Sequence, residues 1–257
     1  MKVLFRYGIL LFFAIACNTT VFSTNTLQAE AEEAFRNGDF ARSIELFEEL
    51  IEQARIENRE SAQLHYNLGN AYFRNNELGR AILNFERALL LNPGDSDIRH
   101  NLRFARAHTI DHIEPSGAIF LTNWINVVRN IFNSNQWATA AIVLFLIFIG
   151  CIAVFLFVRN VWARKTAFYV GIVVFSLLIV ANLFAFRQKN ERMSREFAIV
   201  MPSGISVNAS PDANSTLLFH LHEGTKVRIR NNDGNWYEIE IDNGSVGWTL
   251  KQNVERI

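Results

Sequence analysis

At 257 residues the chain is shorter than two ordinary domains of roughly 150 residues, which excludes a large multidomain enzyme. Half of the residues are hydrophobic, 22 are Phe and only 19% are charged, so apolar sequence must be concentrated locally. Lys plus Arg equals Asp plus Glu at 25 each, which leaves no global attraction for nucleic acid, and Cys17 and Cys151 both sit in apolar stretches, which excludes a disulfide framework. The chain opens on Lys2 and Arg6 and an apolar run from Tyr7 to Ala16, too short to span a membrane comfortably, and 1–29 reads as a secretory signal. Ala14 and Ala16 make an A-x-A site before Cys17, with Ser23 and Ala29 as small residues further on. Lipidation at Cys17 is the alternative to ordinary cleavage, against which stands Ala14 where lipoprotein signals usually carry Leu.

Residues 30–112 read as helical repeats, about 30–57 and 62–95, with a capping helix over 96–110. From Ala62 to Gly94 the residues fall into register with the tetratricopeptide repeat pattern. With Ala62 as position one, Leu68 and Gly69 stand at seven and eight, Tyr72 at eleven, Ala81 at twenty, Phe85 at twenty-four, Ala88 at twenty-seven and Pro93 at thirty-two. Small Gly69 and Ala81 let paired helices approach, Tyr72 and Phe85 fill the space between them, and Pro93 stops the second helix. At position four His65 departs from the aromatic the pattern expects. The upstream copy is partial, with Gly38, Asp39 and Phe40 at its turn, Ser43 in place of Ala, then Phe47, and extra residues around Arg55 to Arg59. A third copy begins after Pro93 and Gly94, with Asn101 and Leu102 in place, and lacks a second helix. Two repeats and a cap are near the minimum for a solenoid, which suggests that a partner or the membrane completes it.

The groove of such a stack would present Tyr66, Asn70 and Phe73 from the second repeat and His100 and Phe104 from the cap, the candidate partner-binding residues. The bland reading, that they only pack between helices, carries equal weight. Gln28 and Glu32 stand where carboxylate-clamping repeats carry Lys and Asn, which argues against that clamp.

Residues 118–133 place Phe120, Leu121, Trp124, Ile125, Val128, Ile131 and Phe132 at helical spacing after a Pro115-Ser116-Gly117 break. An interfacial amphipathic helix and a helix packed on the neighbouring domain are both open here. Two uncharged apolar stretches follow, 137–158 and 166–186, each long enough for a helix crossing a hydrocarbon core of about 30 Å. The linker 159–165 carries Arg159, Arg164 and Lys165, which assigns it to the cytoplasm and both flanking regions to the periplasm of an inner membrane. Arg187, Lys189, Arg192 and Arg195 count the other way, and the translocated N-terminus is given precedence. Asn182, the one strongly polar residue of the second span, suggests an interhelical hydrogen bond.

After Phe197 the texture changes to short alternating runs, Ile205 to Val207, Lys226 to Arg230, Trp236 to Ile241 and Val246 to Thr249, and about five strands in a small barrel are expected over 197–257. Ser210-Pro211, Leu221, Gly224-Thr225-x-Val227, Trp236 and Gly247-Trp248 resemble the bacterial SH3-like domain. Trp248 suits the barrel interior, and Trp236 and Tyr237 are the candidates for a barrel binding surface.

No phosphate loop, zinc-protease motif or nucleophile in a recognised setting is present, so neither catalytic residue, metal nor cofactor is expected. His108 and His112, with Asp111 and Glu114, and the pair His220 and His222 read as solvated faces before metal sites. The fold class is therefore a multi-domain membrane protein: an all-α tetratricopeptide repeat solenoid, a transmembrane helical hairpin and an all-β SH3-like barrel. This order, with Asp97-Ile98, Asn101-Leu102 and the approach from Glu114 to Trp124, resembles the E proteins of Bacteroides aerotolerance operons. The resemblance implies a periplasmic scaffold in a stress-tolerance assembly with von Willebrand-type membrane proteins and a cytoplasmic MoxR-type ATPase. A non-enzymatic adaptor is the expected function, its repeats binding protein and its barrel binding protein or peptidoglycan, with no nucleic acid partner. A membrane sensor of envelope stress, or the targeting part of a cell-wall enzyme, are the alternatives.

Overall fold

The computed structural model describes residues 26–257 apart from 58 and 114–119, and for 120–123 the backbone alone. The cleavage site, Cys17, Glu114 and the Pro115-Ser116-Gly117 break lie outside the described residues, and 26–29, included in the signal reading, already begin helix α1 at 26–36. The helices that follow are α2 (Phe40–Ile56), α3 (Ala62–Arg74), α4 (Leu78–Leu91) and α5 (Ser96–Arg106). Short polar side chains start them where four backbone N–H groups lack partners: Asp39 accepts from Arg42 N, Ser61 from Leu64 N, and Asp95 from Asp97 N and Ile98 N. The two inter-helix turns use left-handed backbone, at Gly38 (φ 81°) and Asn76 (φ 62°), residue types that tolerate it. Ala31, Phe47, Leu68, Tyr72, Ala81, Phe85 and Leu102 are buried in one core. A Cβ on Gly69 would stand 2.8 Å from the Phe85 ring, which is why the repeat needs glycine there.

Helix α6 (Phe120–Arg129) precedes α7 (Ser134–Phe157) and α8 (Val161–Ser194). The expected linker 159–165 is shorter than its charge pattern suggests: Asn160 caps α8 by accepting from Trp162 N, so Val161 to Lys165 belong to the helix and only 158–160 connect the two. Basic residues are good helix formers, and charge alone misplaces this boundary. At the other end α8 runs past the expected Phe186 to Ser194, carrying its basic residues up to the repeats. Small residues Ala141, Ala167, Gly171 and Ala181 line the α7–α8 seam, closed by ring pairs Phe148–Phe175 and Trp137–Phe184. Asn182 does not bridge the helices: its Nδ2 donates to Leu178 O, 2.9 Å away in its own helix, and the side chain is exposed.

The C-terminal region forms seven strands, two more than expected: β1 (Phe197–Val200), β2 (Ile205–Asn208), β3 (Leu217–Leu221), β4 (Lys226–Asp233), β5 (Trp236–Glu240), β6 (Val246–Leu250) and β7 (Val254–Arg256). They make one antiparallel sheet in the order β3-β2-β6-β5-β4-β1-β7, compatible with a barrel-like β-domain. Ala198, Val200, Val207, Leu221, Val227 and Ile239 are buried in its core. A Cβ on Gly247 would lie 2.5 Å from Val207 Cγ1, so this strand crossing admits only glycine.

The repeats and the β-domain are fused through β1. Ala198 and Val200 face the sheet core, while Ile199, 0% exposed, inserts into the repeat core with Met201 and Ile257 beside it. A strand buried on both faces has no polar alternation, as Phe-Ala-Ile-Val illustrates.

Candidate functional site

The first helices of the repeats carry one face and the second helices the other, and the two are occupied differently. On α4, Glu77 offers its helix no side-chain cap. Instead Glu223, from the β3–β4 loop, accepts from Gly79 N at 2.7 Å, and a carboxylate at a helix N-terminus also favours the helix dipole. Close approach demands small residues on both sides: a Cβ on Gly79 would meet Glu223 Cγ at 2.8 Å, and one on Gly224 (φ 85°) would meet Ile82 Cδ1 at 2.7 Å.

Two turns of α4 beyond Gly79, Glu86 is 3% exposed and is shared between Lys226 Nζ, 2.9 Å away, and the guanidinium of Arg106. Burial alone would raise its carboxyl pKa, but the Lys226 ammonium and then the Arg106 guanidinium outweigh burial and hold it below its ordinary value. Arg87 extends the joint to Glu255 Oε1 at 3.0 Å and the Arg256 carbonyl at 2.8 Å. After α5, Asp111 accepts from His222 N (2.7 Å), His222 Nδ1 (2.7 Å) and Thr225 Oγ1 (2.6 Å). Its partial burial works to raise the carboxyl pKa, and these hydrogen bonds, led by that of Thr225, prevail and lower it. The side chains considered for a metal are thereby dispersed: Asp111 turns to His222, His108 stacks on Phe104, and His112 and His220 are exposed. No group of three metal-ligating side chains assembles among the described residues.

On the first-helix face the structure brings together four of the five candidate groove residues. Asn101 Nδ2 donates to Tyr66 OH at 3.0 Å and to Asn70 Oδ1 at 2.8 Å, tying α5 to α3. Beside this pair Phe73, Phe104 and His108 form a ring cluster, with centroids 4.8 to 5.6 Å apart. Phe104 remains 52% exposed, and the Asn70 amide N–H groups have no acceptor among the described residues. The fifth residue, His100, is exposed on α5 one turn before Phe104 and bonds to nothing among the described residues. Sequence reasoning missed Asn101 and His108 as members of this face, although Asn101 sits at a repeat position and His108 follows Phe104 by one helical turn. Gln28 and Glu32 hydrogen-bond to each other at 3.0 Å.

The barrel candidates differ from the exposed pair that was expected. Trp236 and Tyr237 are both half-buried, and the Tyr237 ring lies between Lys251 Nζ and the Arg256 guanidinium, each 5.1 Å from its centroid. Successive strand residues point to opposite faces, so adjacent Trp236 and Tyr237 do not share one surface.

With this geometry in place, the family comparison bears on the helices alone. Residues 29–96 match the tetratricopeptide repeat family. The match runs from within α1 to the first residue of α5, and tetratricopeptide repeats are protein-interaction modules without catalytic chemistry of their own. Among curated proteins none matches the chain.

On α6, Trp124 is 60% and Val127 68% exposed while Ile125 and Val128 are half-buried, and Ile131, 56% exposed, lies in the turn that follows the helix. The segment after α6 is fixed at its base. Gln188 Nε2 donates to Arg129 O and Phe132 O at 2.9 Å, Trp137 Nε1 donates to Arg129 O at 2.8 Å, and a Cβ on Gly94 would stand 2.8 Å from Ile131 O. Arg192 of α8 reaches Glu60 at 3.1 Å.

Proposed function

We propose that the protein is a membrane-anchored adaptor that holds a protein partner on the first-helix face of its repeats. The observation that carries this reading is the contrast between the faces: the second-helix face is closed by the chain's own β-domain, whereas the α3–α5 face offers the unpaired Asn70 amide N–H beside a half-exposed aromatic cluster. A free amide N–H suits a backbone carbonyl of an extended or helical peptide, and rings beside it suit an apolar side chain.

The anchor is the α7–α8 hairpin. Both helices are long and apolar enough to cross a membrane, and only 6% and 17% of their most apolar windows are buried, which argues against core helices of a soluble fold. An α-helix of 24 residues is about 36 Å long, sufficient for a hydrocarbon core of about 30 Å. The exposed Trp124 and Val127 of α6 support the interfacial reading of that helix. The repeats and the β-domain occupy the periplasmic side of the inner membrane, and the 158–160 turn faces the cytoplasm. Arg192 is matched locally by Glu60, so one of the four positive charges that follow the second apolar stretch serves the base of the repeats and weighs less in the topology count.

In this reading the β-domain is SH3-like and acts first as the brace of the repeats. The resemblance to aerotolerance E proteins supports von Willebrand-type membrane proteins as partners of the adaptor, with a MoxR-type ATPase joined through other members, since a three-residue turn is too small to hold it. Peptidoglycan binding by the β-domain is the second reading, favoured only by the cationic groups around Tyr237. The test is affinity capture of full-length protein from mild-detergent membranes, wild type beside Phe73→Ala/Phe104→Ala. The adaptor reading expects a membrane protein retained by the wild type and lost by the folded variant; equal retention contradicts it.

A further inference from the structure

The structure contains a second feature that the repeat face does not use, a cavity of about 360 Å³ at the meeting point of α2, the start of α3, the end of α4, the end of α8 and β7. Five arginines line it, Arg55, Arg87, Arg192, Arg195 and Arg256, contributed by segments far apart in the sequence, and the Arg256 guanidinium stands 5.1 Å from the Tyr237 ring centroid. Three of them are matched by carboxylates: Arg55 by Glu52 at 2.9 Å, Arg87 by Glu255 at 3.0 Å and Arg192 by Glu60 at 3.1 Å. Arg195 has no ion-pair partner among the described residues, and Arg256 meets the Tyr237 ring in place of a carboxylate, so the cavity lining holds more guanidinium than carboxylate charge. Arg195 also adopts a left-handed backbone (φ 44°) at the end of α8, where Gly or Asn would be less strained. What arginine adds at that position is its charge.

We propose that this cavity binds a phosphate-bearing anion. Guanidiniums meet phosphate oxygens through paired N–H donors, and several of them converging from different elements stabilise a multiply oxygenated anion better than any single carboxylate. The location suits such a ligand. Arg192 follows Phe186, the last residue of the apolar stretch, by six residues, or about 9 Å along the helix, and the headgroup layer outside the hydrocarbon is about 5 to 8 Å thick. A lipid phosphate at the membrane surface and a soluble phosphate compound can both reach the site. Binding there would clamp the end of α8 to the repeats and β7, coupling the membrane anchor to the soluble unit. The site shares no residue with the α3–α5 face, so its failure and that of the adaptor reading are separable.

The test uses full-length protein in a neutral detergent and follows its thermal unfolding with phosphatidylglycerol added to the micelles, or with inorganic phosphate against chloride at matched ionic strength. A ligand of the folded state raises the unfolding temperature saturably. The expected result is such a rise with at least one of the two probes, weakened at least 10-fold in apparent affinity by Arg195→Ala/Arg256→Ala and unchanged by Arg103→Ala. Both substituted arginines are exposed, so the double variant keeps its core. A rise with phosphatidylglycerol alone assigns the site to lipid, and one with inorganic phosphate alone or with both assigns it to phosphate compounds generally. No saturable rise with either probe, or an equal response from the double variant, overturns the proposal.

Discussion

The two faces of the repeat pair are built from the same helices to opposite ends. Along α4 every polar group that meets the β-domain is answered: Glu86 by Lys226 and Arg106, Gly79 N by Glu223, and Asp111 after α5 by His222 and Thr225. Along α3 and α5 a single asparagine ties two neighbours together, while one amide and one aromatic ring are left toward solvent. A buried polar group without a partner costs free energy, so the closed face must be complete to exist at all. An exposed face carries no such demand, and what it leaves unsatisfied is available to a ligand.

That contrast can be broken most severely at its apolar centre. Ile199→Ala removes a side chain that is fully buried between the two domains and should destabilise the soluble unit by about 4 kcal/mol, within the range for emptying a core site. Denaturant unfolding of the full-length protein in detergent checks it, and a change below about 1 kcal/mol would mean that the domains do not share a core. Lys226→Met strips one of two cations from Glu86, and with Arg106 still present the loss should fall near about 3 kcal/mol, the low end for breaking a buried pair.

Acid should act on the same face more gently, because protonation neutralises Glu86 only as pH falls through its lowered value and leaves every side chain in place. Glu86 and Asp111 both have folded-state pKa values lowered from their ordinary ones, so their stabilisation is present above the unfolded carboxyl value of about 4 and is lost as pH falls through the folded values. His65 adds to this earlier in the titration: burial lowers its imidazole pKa, the unfolded chain takes up the proton first, and stability declines once pH drops below about 6.5. Unfolding temperature measured from pH 8 to pH 2 should therefore fall, first as pH drops below about 6.5 and again below about 4, and Glu86→Gln should flatten the acid end of the curve.

On the open face the expected signs separate. Phe104→Ala should weaken partner capture by about 2 kcal/mol, as for an aromatic anchor, while changing stability by no more than about 1 kcal/mol. Smallest of all is Arg42→Ala, which removes an exposed pair with Glu45 and should shift stability by less than about 0.5 kcal/mol.

The second repeat was legible because its positions report on packing: Gly69, Tyr72, Ala81, Phe85 and Ala88 are all buried where the pattern puts them. The strands that alternate in sequence, β2, β4, β5 and β6, were legible for the same reason. Those that were missed have a physical excuse. β1 is buried on both faces and shows no alternation, β3 opens on two exposed leucines that break the alternation, and β7 is only three residues long. The joint between the domains was illegible because its parts are distant: Glu86 meets Lys226 across 140 positions and Gly79 meets Glu223 across 144, and one sequence carries no sign of such pairing. The one local hint is a glutamate inside the otherwise buried helical run from Ala81 to Ala88. At the groove, periodicity placed Tyr66, Asn70 and Phe73 on one stripe, yet could not say that Asn101 would lock two of them or that His108 would join the rings. The α7–α8 turn was misread because Arg164 and Lys165 looked like loop residues and are instead the first turn of a helix.

The most direct measurement places a photo-crosslinking residue in the full-length protein within its native membrane, once in place of Phe104 and once in place of Glu223. A partner-binding first-helix face and a self-occupied second-helix face predict that the Phe104 position captures another protein while the Glu223 position yields only intrachain products. Capture of another protein from the Glu223 position, with none from Phe104, would contradict the division of the two faces.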